Sequence, residues 1–199
     1  MRLRDRLEQW AVPLVGYHNV ENTLAAVACT WTLGRPLSAA KARLASFAPV
    51  PLRSEVVRCN GLTILNDCYN ANPLSFARAL ETLRDLQTSR TIAIIGDMLE
   101  LGPYAASAHQ AIGRLAAQLG IDKVLAVGQY AQDVAQGVRQ GRADGVATYR
   151  TVEELVEQLP ALLRHGDGLL VKGSRKLNLE RVTDFLRRHD QGASREFAA

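Results

Sequence analysis

Long hydrophobic runs, paired cysteines and basic stretches interleaved with aromatics are all missing from this 199-residue sequence, and each absence narrows what it can do. No apolar run approaches the ~20 residues that a helix needs to cross a bilayer, so membrane insertion is not expected. Met1-Arg-Leu-Arg-Asp-Arg is basic but no apolar signal core follows it, and no targeting segment is read there. The three cysteines, Cys29, Cys59 and Cys68, are odd in number and show no CxxC spacing. That argues against a disulfide framework or a zinc site and for a reducing cytoplasm. Aromatics make up only 6% of the chain and the arginines behind its net charge of +4 are scattered, so nucleic acid is not an expected partner. No GxGxxG follows the first strand, which weakens a Rossmann-like oxidoreductase, and no GxxxxGK[ST] phosphate loop occurs anywhere.

What is present reads as an ordinary globular chain, 47% apolar and 22% charged. Residues 1–50 offer an apolar stretch at 10–15, an Ala-rich helix over 19–33 that stops at Gly34, and a second helix over 39–47 capped by Ser38. Two helices make a poor independent core, so this segment reads as the tail of a domain whose main body is absent. From Arg53 the rhythm changes. Strands at 55–59 and 62–65 flank Asn60-Gly61, a strong hairpin signal. A helix from Pro73 follows, then strands at 91–95, 123–127, 147–149 and 169–171, with helices at 105–119, 131–139, 152–163 and 177–188. The uniformly apolar strands at 92–95, 124–127 and 169–171 suit parallel strands covered on both faces. The alternation predicts an α/β, Rossmann-like, doubly wound and mostly parallel sheet over 51–190, with a frayed tail at 191–199.

Polar groups gather where these strands end. Asp67-Cys68-Tyr69-Asn70-Ala71-Asn72-Pro73 puts a carboxylate, a phenol and two amides at a strand-to-helix junction. Asn72 suits an N-cap and Pro73 the first helical position, where no N–H is needed. Gly96-Asp97, Gly128-Gln129 and Lys172-Gly173-Ser174 end three further strands, and in an open α/β sheet that edge is where ligands bind.

Taken in order, five motifs resemble the Mur ligases of peptidoglycan synthesis: Gly16-Tyr17-His18-Asn19-Val20-Glu21-Asn22 before Leu24-Ala25-Ala26; Arg53 with Glu55; the 67–73 string; Gly96-Asp97-Met98-Leu99-Glu100-Leu101-Gly102 with His109; and Val171-Lys172-Gly173-Ser174-Arg175 with Leu179-Glu180. The resemblance spans residues 16–188 and agrees best with the member that adds D-alanyl-D-alanine to UDP-N-acetylmuramoyl-tripeptide. It implies ATP-dependent amide formation through an acyl phosphate, with Mg2+, in the cytoplasm. It also implies three domains, of which residues 1–50 would be the last helices of the central ATP-binding domain and 51–190 the C-terminal domain. With no phosphate loop, the chain is expected to be a fragment or a truncated reading frame, inactive alone, and to need the central domain for full binding of ATP and Mg2+. The alternative is a non-catalytic nucleotide-binding module that works with a partner chain.

The resemblance also implies roles for single residues. Asn22 would contact adenine and His18 shape its pocket, against the plainer reading that His18 and Asn19 cap a helix. Arg53 would reach the terminal phosphate of ATP, its planar fork suiting that anion, unless it pairs with Glu55. Asp67 would accept from the ribose hydroxyls, or cap a turn. Tyr69, Asn70 and Asn72 would orient the dipeptide or a hinge. Asp97 and Glu100 would meet the dipeptide's ammonium, although two acids there also suit the dipole of the following helix. Lys172, counted with Arg53 as catalytic, would hold a substrate carboxylate together with Ser174 and Arg175, unless Lys172 pairs with a neighbouring acid. His109, within an Ala-rich helix, reads at least as well as a surface or core histidine as it does as a catalytic one. No residue is assigned to a metal.

Overall fold

The computed structural model describes residues 2–3, 6–141 and 145–190, so the tail expected at 191–199 lies outside the described residues. It divides into two compact units, residues 1–50 and 51–199. In the first, strands β1 (Arg2–Leu3) and β2 (Arg6–Leu7) pair antiparallel, a pairing the sequence reading did not include. Helix α1 (Tyr17–Thr32) begins two residues before Asn19. Asn19 is therefore not its cap: its amide nitrogen donates to the Val15 carbonyl at 2.7 Å from inside the first turn. Helix α2 (Leu37–Ala45) takes Pro36 as its N-cap with no side-chain bond, so Ser38 is an interior residue rather than a cap. Only Val27 of these two helices is buried, while Tyr17, Leu24, Trp31 and Leu33 are exposed.

The second unit opens with an antiparallel hairpin of β3 (Glu55–Cys59) and β4 (Leu62–Asp67). Asn60 and Gly61 at its tip both have positive φ, 51° and 70°, as a type I′ turn requires. Next come α3 (Pro73–Asp85), β5 (Arg90–Gly96), α4 (Ala105–Gln118), β6 (Lys123–Val127), α5 (Ala131–Gly141), β7 (Val146–Tyr149), α6 (Val152–Leu162), β8 (Asp167–Lys172) and α7 (Glu180–Asp190). The sheet order is β3-β4-β8-β5-β6-β7, parallel throughout except for the β3 edge, which is the Rossmann-like architecture the alternation predicts. The helix expected over 177–188 is divided: a 3-10 turn at Arg175–Leu177, Asn178 in the left-handed region (φ 52°), then α7.

Strand periodicity assigns the two layers. Ile64, Ile92, Leu125, Leu169 and their same-face neighbours cluster with Leu155 and Leu159 of α6 and Val182 and Leu186 of α7. Alternate residues such as Leu65, Ala93, Val124 and Leu170 are equally buried and face the other way, toward α3, α4 and α5. Helices α4 and α5 approach closely because Gly113 and Gly137 meet at their crossing, where a Cβ on either would collide with the facing backbone.

Candidate functional site

Topology creates the site before any side chain does. β4 hands its chain to α3 on one layer, β8 to the turn before α7 on the other, and β5 back to α4 on the first. Neighbouring strands that exit to opposite layers leave a crevice beyond their carboxyl ends. Here two crevices flank β8, one against β4 and one against β5.

At the first, Asp67 and Lys172 are register partners. The Lys172 ammonium, 1% exposed, donates to the Asp67 carboxylate at 2.6 Å and to the carbonyls of Asn70 and Asp67 at 3.1 and 3.4 Å. The other carboxylate oxygen of Asp67 accepts from the Ser54 N–H at 2.9 Å. Ser54 and Leu52 both have positive φ, 48° and 65°, unusual for non-glycine residues, and Arg53 stands exposed between them. Its guanidinium lies 3.9 Å from the ring centre of Tyr69, whose own N–H donates to the Leu52 carbonyl. The Arg53–Glu55 pairing weighed from the sequence does not form: Glu55 accepts from Arg187, Asn66 and the Leu52 N–H. Asn72 caps α3 in a reciprocal capping box with Ser75. Burial, with a smaller push from Glu180, raises the Cys68 thiol to about 12, so it is no nucleophile.

At the second crevice Asp97 is 6% exposed and its two oxygens accept from the N–H groups of Gln129 and Tyr130 at 3.0 and 2.9 Å, anchoring the start of α5. Gly128 leaves room for that carboxylate, with which a Cβ would collide. Ser174 is held from both ends: its N–H donates to the Asp97 carbonyl and its Oγ accepts from Leu99 N–H. Arg175 pairs with Glu180 at 2.6 Å. Glu100 is exposed and sits at φ 65°.

His109 is a core histidine. It is fully buried, stacks on Tyr130 with ring centres 4.5 Å apart, and its Nε2 accepts from the Met98 N–H while Nδ1 donates to Ala105 O. Burial lowers its pKa, outweighing the Ala105 hydrogen bond and the charges of Asp97 and Asp133, which raise it. The unfolded chain therefore binds the extra proton first, and stability present above the ordinary value of about 6.5 is lost as pH falls below it. Urea midpoints measured between neutral pH and pH 5 should fall with acidification. A His109→Asn variant, less stable throughout, should show a shallower fall; an equal slope would remove His109 from this effect.

Two adjoining cavities open beyond β6 and β7, of about 650 and 310 Å³, and Gly128, Gln129 and Arg150 line both. Among the described residues the Arg150 guanidinium has no hydrogen-bond or ion-pair partner, although its N–H is held by Glu154. In the first unit, Asn22 lines a mostly apolar cavity of about 350 Å³ with Trp10, Leu14 and Phe47. His18 is half-buried on the first turn of α1 and is not part of that lining.

The family described as "Mur ligase, glutamate ligase domain" matches residues 52–175. The chain belongs to the Mur ligase family. Two curated relatives, from Treponema pallidum and Escherichia coli, are both named UDP-N-acetylmuramoyl-tripeptide–D-alanyl-D-alanine ligase. They are 39% and 36% identical over 89% and 86% of this chain. The matches take in only 39% and 37% of those proteins, so the chain spans about two fifths of the length of these relatives. A crystal structure of MurF from Acinetobacter baumannii superposes with a TM-score of 0.81 at 28% identity, covering 90% of this chain and 40% of that one. MurF from Thermotoga maritima, crystallised with ADP, shares the fold at 24% identity and a TM-score of 0.76.

In this Mur ligase domain the strand-end residues named from sequence do gather along one edge, but most of their polar atoms face the protein. Lys172, Asp97 and Ser174 are buried and hold loops; Arg53, Tyr69, Asn70, Asn72, Glu100 and Arg175 are exposed, Asn72 as a helix cap and Arg175 paired with Glu180. Ser54 and Arg150 were missed. Nothing short-range marks the positive φ of Ser54, and Arg150 reads in sequence as a solvated arginine before a helix.

Proposed function

We propose that this chain is part of an ATP-dependent ligase that joins D-alanyl-D-alanine to UDP-N-acetylmuramoyl-tripeptide in peptidoglycan synthesis, in the cytoplasm. The observation that carries the reading is that both curated relatives named above bear that enzyme's name across nearly all of this chain. ATP, when bound, supplies the phosphoryl group that activates the tripeptide carboxylate. Arg53 is the residue of this chain that meets its terminal phosphate. An exposed, permanently charged fork stacked on Tyr69 and paired with no acid among the described residues supports that role. Asp67 accepts from the ribose hydroxyls with the lone pairs that Ser54 and Lys172 leave, since a carboxylate offers about four acceptor sites. Asn22 takes adenine, with His18 beside it on α1. Residues 1–50 are the end of the central ATP-binding domain, a reading supported by the apolar side chains that α1 leaves exposed. The dipeptide lies along the carboxyl edge near Tyr69, Asn70 and Asn72, with its ammonium toward Glu100. Arg150, at the cavities beyond β6, is a further candidate cation for its carboxylate, since its guanidinium is unpaired among the described residues while Arg175 is paired. Among the described residues no three His, Cys, Asp or Glu side chains converge, and no Mg2+ ligand is assigned to this chain.

The test joins residues 1–199 to the unmatched part of the E. coli relative and assays phosphate release with ATP, magnesium, the UDP-tripeptide and the dipeptide. Turnover that requires both peptide substrates is expected from the joined protein and not from the 199-residue chain. A folded joined protein that ignores D-alanyl-D-alanine overturns the substrate assignment.

A further inference from the structure

We propose that Lys172 is a positioning residue for Arg53: it contacts no substrate and acts by holding the strained 52–54 turn that presents the guanidinium. Three observations meet here. The ammonium is 1% exposed and its three protons face three protein oxygens, so no donor is left for a ligand. Its partner Asp67 is bound on both oxygens, by Lys172 on one side and by the Ser54 N–H on the other, so the ion pair reaches directly into the turn. The turn is unfavourable by itself, with Leu52 and Ser54 both at positive φ, and persists only where surrounding bonds enforce it.

Those bonds are few. The Ser54 N–H goes to Asp67, the Leu52 N–H to Glu55 at 3.3 Å, and the Leu52 carbonyl accepts from Tyr69. The shortest of them ends on the carboxylate that Lys172 fixes. Lys172 also donates to Asn70 O, next to Tyr69, so one ammonium braces both sides of the stack, the turn that carries Arg53 and the segment that carries the ring. A cross-strand pair whose only task was to join β4 and β8 would need neither connection, because those strands already pair through Asp67 and Lys172 in register.

The consequence for the ligase rests on the reading that Arg53 meets the ATP phosphate; the coupling itself does not. The test therefore has two arms. In the 199-residue chain, the Arg53 Nε–H resonance should be shifted upfield by the Tyr69 ring, and Tyr69→Ala should abolish that shift. Lys172→Met should abolish it as well. Ser54→Pro should do the same from the turn itself, since it removes the N–H and forbids the positive φ while leaving the Asp67–Lys172 pair intact. An unchanged Arg53 shift in a folded Lys172→Met or Ser54→Pro chain overturns the proposal. In the joined ligase, Lys172→Met should lower kcat/KM for ATP on the order of a hundredfold, as displaced reacting groups do, with a smaller rise in the dipeptide KM through the loosened Tyr69–Asn70 segment. A rise confined to the dipeptide KM returns Lys172 to the substrate and overturns positioning. If the resonance moves as expected but Arg53→Ala leaves ATP kinetics intact, the failure belongs to the phosphate role of Arg53 and the coupling stands.

Discussion

Arg53→Ala in the joined ligase is expected to lower kcat/KM for ATP by about a hundredfold to a thousandfold, the usual result of removing one preorganised donor to developing charge. The side chain is exposed and stacks on Tyr69, so thermal stability should change by no more than about 0.5 kcal/mol. The contrast between a large kinetic loss and an unmoved melting curve separates a phosphate contact from a structural one. Arg53→Lys should recover part of the activity, since it keeps the charge but loses the planar fork and much of the stacking. Wild-type kinetics in the alanine variant would leave the exposed, strained presentation of Arg53 without a purpose in phosphoryl transfer.

Asp167→Ala should produce the largest loss of stability, about 3–5 kcal/mol, as breaking one side of a buried ion pair does. Asp167 is 2% exposed at the start of β8 and accepts from Arg90 Nε and Nη2 at 3.0 and 2.6 Å and from the Arg164 N–H at 2.8 Å. Alanine would leave the Arg90 guanidinium, three-quarters buried, with only the Leu162 carbonyl, and the Arg164 amide with no acceptor. This is a large part of the 5–15 kcal/mol that a domain usually has. Urea titration of the variant checks it. Arg90→Leu combined with Asp167→Leu should be less damaging than Asp167→Ala, because no charge is then left uncompensated. A single-variant loss under about 1 kcal/mol would mean that solvent reaches Arg90 and replaces the carboxylate. The pair lies at the amino ends of β5 and β8, away from the candidate site, so a folded variant should keep its ATP kinetics.

The motif at residues 67–73 shows how far sequence reached. Its cap was legible, because Asn72, Pro73 and Ser75 lie within one helical turn and satisfy one another locally. So was the hairpin at Asn60-Gly61, where two consecutive residues must take positive φ, and so were the buried strands, whose side chains are apolar on both faces. The family resemblance rested on the same short strings. Where a polar side chain finds its partner was a different matter. Asp67 meets Lys172 from 105 residues away, Glu55 meets Arg187 from 132, and Asp97 reaches the amides of the β6–α5 loop from 32 and 33. The first depends on β8 pairing with β4 in one register, the second on α7 packing against β3, and the third on β5 pairing with β6, none of which a local pattern encodes. Sequence alone therefore determined most elements of the second unit and the edge at which polar groups collect, because turns, caps and periodicity act over a few residues. The tertiary structure alone decided which of those groups hold the protein together and which, like Arg53, remain for a ligand, because a charge is committed only when the strand register brings another within reach.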